Sequence, residues 1–185
     1  HTSFKPKGIG VVISPWNFPL AIPCGGIAGA LCGGNQVLFK PSKHAVWVGH
    51  ELIRCFWEVG VSSKTLQFIP CQAKYLMDMV LPDPRVKFCI FTGSTAVAKK
   101  IQSQNPNLLL SAETGGKNTT IVTWNADHEL AIQNILISAF SHSGQKCSAT
   151  SIVILEKELF KNKTFKAKLK NAVESLMVGS AWQAE

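Results

Sequence analysis

Residues 86–104 read VKFCIFTGSTAVAKKIQSQ, an apolar run followed by a glycine-containing turn and a segment rich in alanine and lysine. The apolar run Val86–Phe91 predicts a strand, and Thr95–Gln104 predicts a helix that begins directly behind the turn. A strand that leads into a helix through a short turn is the repeating unit of parallel α/β sheets. This stretch therefore points to the α/β class.

The same alternation of strand and helix continues on both sides of this stretch. Apolar runs bounded by turn residues predict further strands, and the segments between them predict helices. The rhythm predicts a parallel sheet with helices on both faces, within residues 1–112. The predicted strands are Ile9–Ser14, Gln36–Lys40, Thr65–Ile69 and Leu108–Ala112, and the predicted helices are Leu20–Leu31 and His44–Val59.

A second region, residues 113–185, is predicted to begin where the composition changes after Ala112. The polar, glycine-bearing sequence ETGGKN indicates a loop there, and Asp127 is a suitable N-cap for a later helix. The predicted elements are strands Thr119–Thr123 and Ser151–Leu155, helix Asp127–Phe140, loop Ser141–Ser148 and a lysine-rich helix ending at Met177.

Charged residues make up only 16% of the 185 residues, below the usual quarter, and hydrophobic residues make up 46%. A surface so poor in charge predicts that the rest of a longer chain or a partner subunit covers part of it. The net charge of +8 includes six lysines within one short stretch. We interpret them as a solvated helix face, since no nucleic-acid-reading motif accompanies them. They are Lys157, Lys161, Lys163, Lys166, Lys168 and Lys170.

The six cysteines form no CxxC pair and do not cluster with histidines, so no metal site is predicted. Five of them lie in apolar runs and are expected to be small buried hydrophobes. This usage suits a reducing compartment, taken here as the cytoplasm. The longest apolar stretch, Pro19–Cys32, contains glycines and prolines and is too short to span a bilayer.

Two turns at predicted strand ends have the chemistry of a dinucleotide site. In FTGS, residues 91–94, Gly93 would let a phosphate approach the backbone at a helix N-terminus. In KPS, residues 40–42, Lys40 follows a strand and can donate to ribose hydroxyls or to a phosphate. Taken alone, each motif is more often an ordinary turn or a surface lysine.

Three further motifs carry groups that catalysis can use. Cys147 lies in the polar loop GQKCS beside Lys146, where a cation favours the nucleophilic thiolate. Glu113 follows an apolar strand, and burial there would raise its pKa and let it take a proton from water. Asn17, between the prolines of PWNFP, can donate to an oxyanion. The alternatives are a free surface thiol, a loop-bracing carboxylate and an asparagine that satisfies a turn.

Taken in order, PWNFP, KPS, FTGS, ETGGKN and GQKCSA resemble the aldehyde dehydrogenase superfamily. The resemblance runs from about Gly8 to Trp182. It implies a Rossmann-like cofactor domain over residues 1–112 and the beginning of an α/β catalytic domain over residues 113–185. It also implies that the chain is a fragment that is inactive alone, since the family is far longer.

The resemblance assigns a role to each matching residue. Cys147 matches the catalytic cysteine, Glu113 the general base, and Asn17 the oxyanion donor that acts with the backbone N–H of Cys147. The remaining matches are to cofactor-binding residues: Lys40 on the adenosine ribose, Gly93 and Ser94 at the pyrophosphate, Ile13, Ser14, Pro15 and Trp16 along the cofactor path, and Thr114 near the nicotinamide.

Residues 111–118 and 138–149 are most similar to the L-glutamate γ-semialdehyde (pyrroline-5-carboxylate) dehydrogenases, including the dehydrogenase half of bifunctional proline-utilisation proteins. That subfamily implies that Ser148 helps to hold the substrate carboxylate. The implied reaction is oxidation of the aldehyde to L-glutamate in proline catabolism, by a homo-oligomer when the protein is complete. Another aldehyde substrate, and a non-catalytic nucleotide-binding fragment, remain alternatives.

Two departures from the family pattern concern the cofactor. Lys43 stands three residues after Lys40, where an acidic residue often grips both ribose hydroxyls, and Ala98 replaces a second glycine. We expect NAD as cofactor, and Lys43 makes NADP possible.

Overall fold

The computed structural model describes residues 5–180 and 182. Residues 1–4, 181 and 183–185, which the two predicted regions include, lie outside the described residues. The chain divides into two compact units, His1–Gly115 and Gly116–Glu185. In the described residues, no helix is both long and apolar enough to cross a membrane.

The first unit is an α/β sheet with a helix or helical turn between successive strands. Its five strands lie in the order β3-β2-β1-β4-β5, and every neighbouring pair is parallel. The predicted fold class is therefore confirmed. The elements are β1 (Ile9–Ile13), α1 (Ala21–Cys32), β2 (Gln36–Lys40), α2 (Val46–Glu58), β3 (Leu66–Phe68), α3 (Ala73–Tyr75) with a π-turn (Leu76–Val80), β4 (Val86–Gly93), α4 (Thr95–Gln104) and β5 (Leu109–Thr114).

Alternate residues of the central strands enter two separate cores, one on each face of the sheet. Val11 of β1 packs with Cys89 of β4 on one face, and Val12 packs with Phe88 on the other. Strands buried on both faces need apolar residues at nearly every position, which is why these segments read as continuous apolar runs.

Gly10 is required at the centre of the sheet because the ring of Phe88 lies over it. The two residues are paired partners in β1 and β4, and a Cβ on Gly10 would lie 2.1 Å from Cζ of Phe88. No side chain fits at that distance without displacing the ring.

The second unit contains a two-stranded parallel sheet packed against helices. Its core includes Val122, Ile132, Ile135, Leu159 and Phe165. The elements are β6 (Asn118–Val122), α5 (His128–Phe140), a 3-10 turn (Ser141–Gly144), β7 (Thr150–Leu155), α6 (Lys157–Lys161) and α7 (Lys163–Glu174). As predicted, Asp127 caps α5, because its carboxylate accepts hydrogen bonds from the N–H groups of Glu129 and Leu130.

Several sequence-based expectations are wrong in detail. The lysine-rich segment is two helices, because Asn162 is extended and its Oδ1 caps α7 by accepting from Phe165 N at 3.0 Å. The helical segment 73–80 was not predicted, since it is short and lies between two proline-containing turns. Its π-turn is closed by a hydrogen bond of 2.9 Å from Leu81 N to Leu76 O.

The cysteines differ in burial more than the sequence predicted. Cys89 is fully buried, and burial raises the pKa of its thiol to about 12. Cys24 and Cys71 are half-buried. Cys32 and Cys55 are exposed, contrary to the prediction, because they lie on outward-facing positions of α1 and α2.

Gly10→Ala should destabilise the intact protein by about 1–3 kcal/mol, because the added methyl group overpacks the core against Phe88. The midpoint of urea unfolding measures the change. In a Phe88→Leu background, the same substitution should cost less, since the ring is gone. An equal loss of unfolding free energy in both backgrounds would show that the Phe88 ring does not clash with the alanine side chain at position 10.

Candidate active site

The carboxyl ends of the parallel strands place the first unit's predicted site residues along one edge of its sheet. Strand order reverses between β1 and β4, since the chain passes from β1 to β2 on one side and from β4 to β5 on the other. In open parallel sheets, ligands bind beyond the carboxyl ends at such a reversal. The residues brought to this edge are Ile13, Ser14, Pro15, Trp16, Asn17, Lys40, Gly93, Ser94, Glu113 and Thr114.

The segment after β1 leaves the sheet in a defined way. Ser14 is buried, and its N–H donates to the carbonyl of Lys40 at 3.2 Å, which extends the β1–β2 ladder by one residue. Pro15 then ends the ladder, because proline has no N–H to donate. Asn17 lies half-buried in the bend before α1, and Trp16 beside it is 49% exposed. Pro15 and Pro19 therefore flank a short turn that contains Asn17.

Lys40 ends β2 with its side chain half-buried. Its Nζ donates to the carbonyl of Pro41 at 2.9 Å. Burial lowers the pKa of Lys40, and the electrostatic effect of the nearby Cys71 thiol acts in the opposite direction. A partly desolvated ammonium gains more from an incoming oxygen ligand than a fully hydrated one does. Lys43, in the loop that follows, is exposed.

Gly93 and Ser94 form the turn from β4 into α4. A Cβ on Gly93 would lie 2.6 Å from Cζ of Phe91, so packing within the strand end requires glycine in addition to any need for phosphate approach. Ser94 is the N-cap of α4, and its Oγ accepts from Val97 N at 3.4 Å. The first turn of α4 contains no acidic residue. The partial positive charge of this helix N-terminus is therefore available to an anion.

Glu113 and Thr114 belong to β5 and not to a loop. Glu113 pairs with Thr92, and Thr114 pairs with Gly93. Glu113 is exposed, so its predicted burial is wrong for the described residues. The reason is that β5 is the edge strand of this sheet and most of its residues face outward.

Cys147 lies in the loop that connects the 3-10 turn with β7, and both Cys147 and Ser148 are exposed. The loop is entered through consecutive left-handed residues, with φ of 56° at His142 and 55° at Ser143. Left-handed backbone is costly for residues other than glycine, and it concentrates at functional sites. In the sequence, the one signal for this turn is Gly144. In the structure, Gly144 is also left-handed, with φ of 68°.

Asn118 is a second-unit residue to which the sequence gave no role. Its Nδ2 donates to the carbonyl oxygen of Cys147 at 2.5 Å and to that of Ala149 at 3.0 Å. The only signal in the sequence was its position at the end of the motif ETGGKN.

Within residues 5–180 and 182, no three histidine, cysteine, aspartate or glutamate side chains gather as metal ligands. The first unit has an amide, a lysine and a carboxylate at the carboxyl ends of its parallel strands, and the second unit has a thiol in an exposed loop. A thiol can form a covalent intermediate, and a carboxylate can activate water.

Comparison with known proteins agrees with this chemistry. A sequence model of the aldehyde dehydrogenase family matches residues 1–185. A 1-pyrroline-5-carboxylate dehydrogenase of Bacillus thuringiensis is 39% identical over 166 residues, which is 85% of this chain and 32% of the relative. The chain thus spans about a third of the length of the curated relatives it matches.

Two solved structures are similar over nearly the whole chain. A 1-pyrroline-5-carboxylate dehydrogenase from Thermus with bound NAD has a TM-score of 0.87 and 37% identity, covering 94% of this chain and 35% of that one. The NADP-dependent glyceraldehyde-3-phosphate dehydrogenase from Bacillus halodurans, complexed with NADP, has a TM-score of 0.87 and 31% identity, covering 95% and 37%.

The lowered pKa of Lys40 predicts a dependence of stability on pH. Because the folded-state pKa lies below the unfolded-state value, the unfolded chain binds more protons as pH approaches that value from below. The contribution of Lys40 to the free energy of unfolding therefore increases as pH rises. The variant Lys40→Met has no titrating group at this position and lacks the increase. Wild-type protein should become more stable relative to the variant as pH rises from neutral into the alkaline range, measured by urea unfolding.

Lys43→Met is the control. It removes an exposed lysine from the loop after β2 and should leave the pH dependence of stability as in wild type. A constant difference between wild type and Lys40→Met at every pH would contradict the assignment.

Proposed function

This chain belongs to the aldehyde dehydrogenase family, and from that premise we propose that the intact protein oxidises L-glutamate γ-semialdehyde to L-glutamate with NAD. The proposal is supported above all by the 39% identity with a 1-pyrroline-5-carboxylate dehydrogenase over 166 residues. The family resemblance inferred from the five ordered motifs is confirmed. We also propose that residues 1–112 are part of the dinucleotide-binding domain and that residues 113–185 are the N-terminal part of the catalytic domain.

The edge of the first sheet has the chemistry that a dinucleotide needs. Lys40 can donate to ribose hydroxyls, and the N-terminus of α4 behind Gly93 and Ser94 can receive the pyrophosphate. Ile13, Ser14, Pro15 and Trp16 would line the path of the cofactor, with Thr114 near the nicotinamide. When bound, the nicotinamide supplies the hydride acceptor.

NAD is the proposed cofactor, and NADP is tolerated because Lys43 replaces an acid that would repel a 2′-phosphate. The two similar solved structures contain NAD in one case and NADP in the other. Initial rates of the intact enzyme with each dinucleotide measure the preference.

In the proposed reaction, the Cys147 thiolate attacks the aldehyde carbon and forms a carbon–sulfur bond. The side-chain amide of Asn17 and the backbone N–H of Cys147 donate to the oxyanion, a role in which one donor contributes about 3–4 kcal/mol. As the oxyanion collapses, the carbon loses a hydride and becomes a thioester of Cys147. The substrate carbon is thereby oxidised by two electrons.

Glu113 then completes the cycle as a general base. It takes a proton from a water molecule, whose oxygen attacks the thioester carbon. The carbon–sulfur bond breaks, the thiolate of Cys147 returns, and a carboxylic acid is released. A water-activating carboxylate also favours hydrolysis over transfer to coenzyme A.

The proposal extends to a cytoplasmic homo-oligomer that acts on a small-molecule aldehyde. The cysteine usage favours the compartment, and the low charged fraction favours a covered surface.

Cys147→Ser in the intact enzyme should abolish aldehyde oxidation and leave dinucleotide binding in place, because a hydroxyl is a far weaker nucleophile than a thiolate. Steady-state kinetics and calorimetric titration with NAD measure the two properties. Cys55→Ser, which removes an exposed thiol from α2, is the control and should keep full activity. Residual turnover of Cys147→Ser above roughly a few per cent of wild type would refute the nucleophile.

Ser148→Ala should reduce kcat/KM for glutamate γ-semialdehyde about tenfold or more, chiefly through KM, because a hydrogen bond to a charged group is worth roughly 1.5–3 kcal/mol. A neutral aldehyde of similar length should suffer little. Equal losses for both aldehydes would mean that Ser148 shapes the loop, and would favour an aldehyde dehydrogenase with another substrate.

A further inference from the structure

We infer that Asn118 is a positioning residue that holds the Cys147 loop in its reactive geometry. The inference rests on the proposed function only in taking Cys147 as the nucleophile. Asn118 is the first residue of β6 and lies 29 positions before Cys147 in the chain, yet its side chain bonds to the Cys147 loop on both sides of Ser148.

An irregularity in the β6–β7 ladder aims Asn118 at this loop. Asn118 pairs with Thr150, whereas the next residue, Thr119, pairs with Ile152, so Ser151 is an extra residue on β7. A bulge of this kind turns the neighbouring side chains away from their regular direction, and bulges are frequent beside active sites. The register shift begins at Asn118, the residue whose carboxamide bonds to the loop.

The two hydrogen bonds use both protons of one amide nitrogen. An asparagine NH₂ group has two N–H donors, and here they meet the carbonyl oxygens of Cys147 and Ala149. Two carbonyl oxygens can face only a donor, which fixes the orientation of the carboxamide. The side chain therefore clamps a three-residue segment that has Ser148 at its centre.

Holding the carbonyl of Cys147 also holds the backbone of the nucleophile. The direction of that carbonyl sets ψ of Cys147, and the available side-chain rotamers depend on the backbone angles. Both the thiol and the proposed oxyanion donor, the N–H of Cys147, belong to this residue. The loop is exposed and follows the left-handed turn at His142 and Ser143. Hydrogen bonds from a residue outside the loop therefore help to fix its conformation.

Three hydroxyl groups near Asn118 form a second set of hydrogen bonds, which does not include residues of the Cys147 loop. Thr120 Oγ1 lies 2.8 Å from Thr150 Oγ1, which donates to Ser138 Oγ at 2.7 Å. This chain links β6, β7 and α5. Thr120→Val, two residues beyond Asn118 on the same strand, breaks part of it at nearly constant volume and supplies a structural control.

The test compares Asn118→Asp with Thr120→Val in the intact enzyme. Aspartate keeps the size of asparagine, but it has no N–H donors and its negative charge repels the two carbonyl oxygens. We expect kcat to fall about 10- to 100-fold, as for a small misplacement of reacting groups, while KM changes less than about threefold. Thr120→Val should keep kcat within about threefold of wild type. Asn118→Leu is similar in size and has neither donors nor charge. It should also lower kcat, and it replaces the aspartate variant if that one does not fold.

A second readout needs no turnover. The rate of alkylation of Cys147 by iodoacetamide, followed by the mass of its peptide across neutral to alkaline pH, reports the state of the thiol. In Asn118→Leu, which removes both donors and adds no charge, the alkylation rate should differ from that of wild type because the loop is released, and in Thr120→Val it should match wild type.

The two measurements separate the inference from the proposed function. If wild-type enzyme oxidises no aldehyde but the alkylation rate changes in Asn118→Leu and not in Thr120→Val, the proposed function fails and the positioning role stands. If wild-type enzyme is active, and Asn118→Asp and Asn118→Leu retain wild-type kcat and the wild-type alkylation rate, the positioning role is overturned. Equal losses of kcat in Asn118→Asp and Thr120→Val would also overturn it, because they would indicate a general loss of structure.

Discussion

The close packing of Phe88 on Gly10 joins β1 and β4 at the centre of the first unit, where a Cβ on Gly10 would lie 2.1 Å from the ring. The pair lies where strand order reverses, so its geometry sets how the carboxyl ends of β1 and β4 lie beside each other. The turn at Asn17 follows β1, and the turn at Gly93 ends β4. A packing contact at the amino-terminal half of β1 therefore supports the residues proposed for cofactor binding and for oxyanion stabilisation.

Two groups at this edge favour anions without an exposed cluster of positive charge. Lys40 is half-buried with a lowered pKa, and the N-terminus of α4 carries no acidic residue in its first turn. The many exposed lysines of α6 and α7 belong to the second unit and pair in part with glutamates, as Lys168 does with Glu129. The net positive charge of the chain is thus a poor guide to the proposed dinucleotide site, which depends on two well-placed groups.

The second unit relies on different means to hold its candidate nucleophile. Parallel pairing of β6 and β7 fixes the end of the Cys147 loop at Thr150, and the carboxamide of Asn118 bonds to the carbonyls inside the loop. The entry to the loop is left-handed at His142 and Ser143. A strained turn on one side and a side-chain clamp on the other leave the Cys147 loop few alternative conformations, which is the preorganisation that a reactive group requires.

The sequence by itself determined the α/β class, the order of the strands along the chain and the location of four of the five motifs at strand ends; the fifth, which contains Cys147, lies in a loop before β7. Apolar runs, glycine turns and helix caps such as Asp127 act through neighbouring residues, so they can be recognised locally. The family resemblance carried the candidate roles of Cys147, Glu113 and Asn17. Only the tertiary structure decided that Glu113 is exposed, because its burial depends on β5 being an edge strand. Only the structure brought Asn118 to Cys147, because a contact across 29 residues depends on the strand register and on a bulge, which no local pattern encodes.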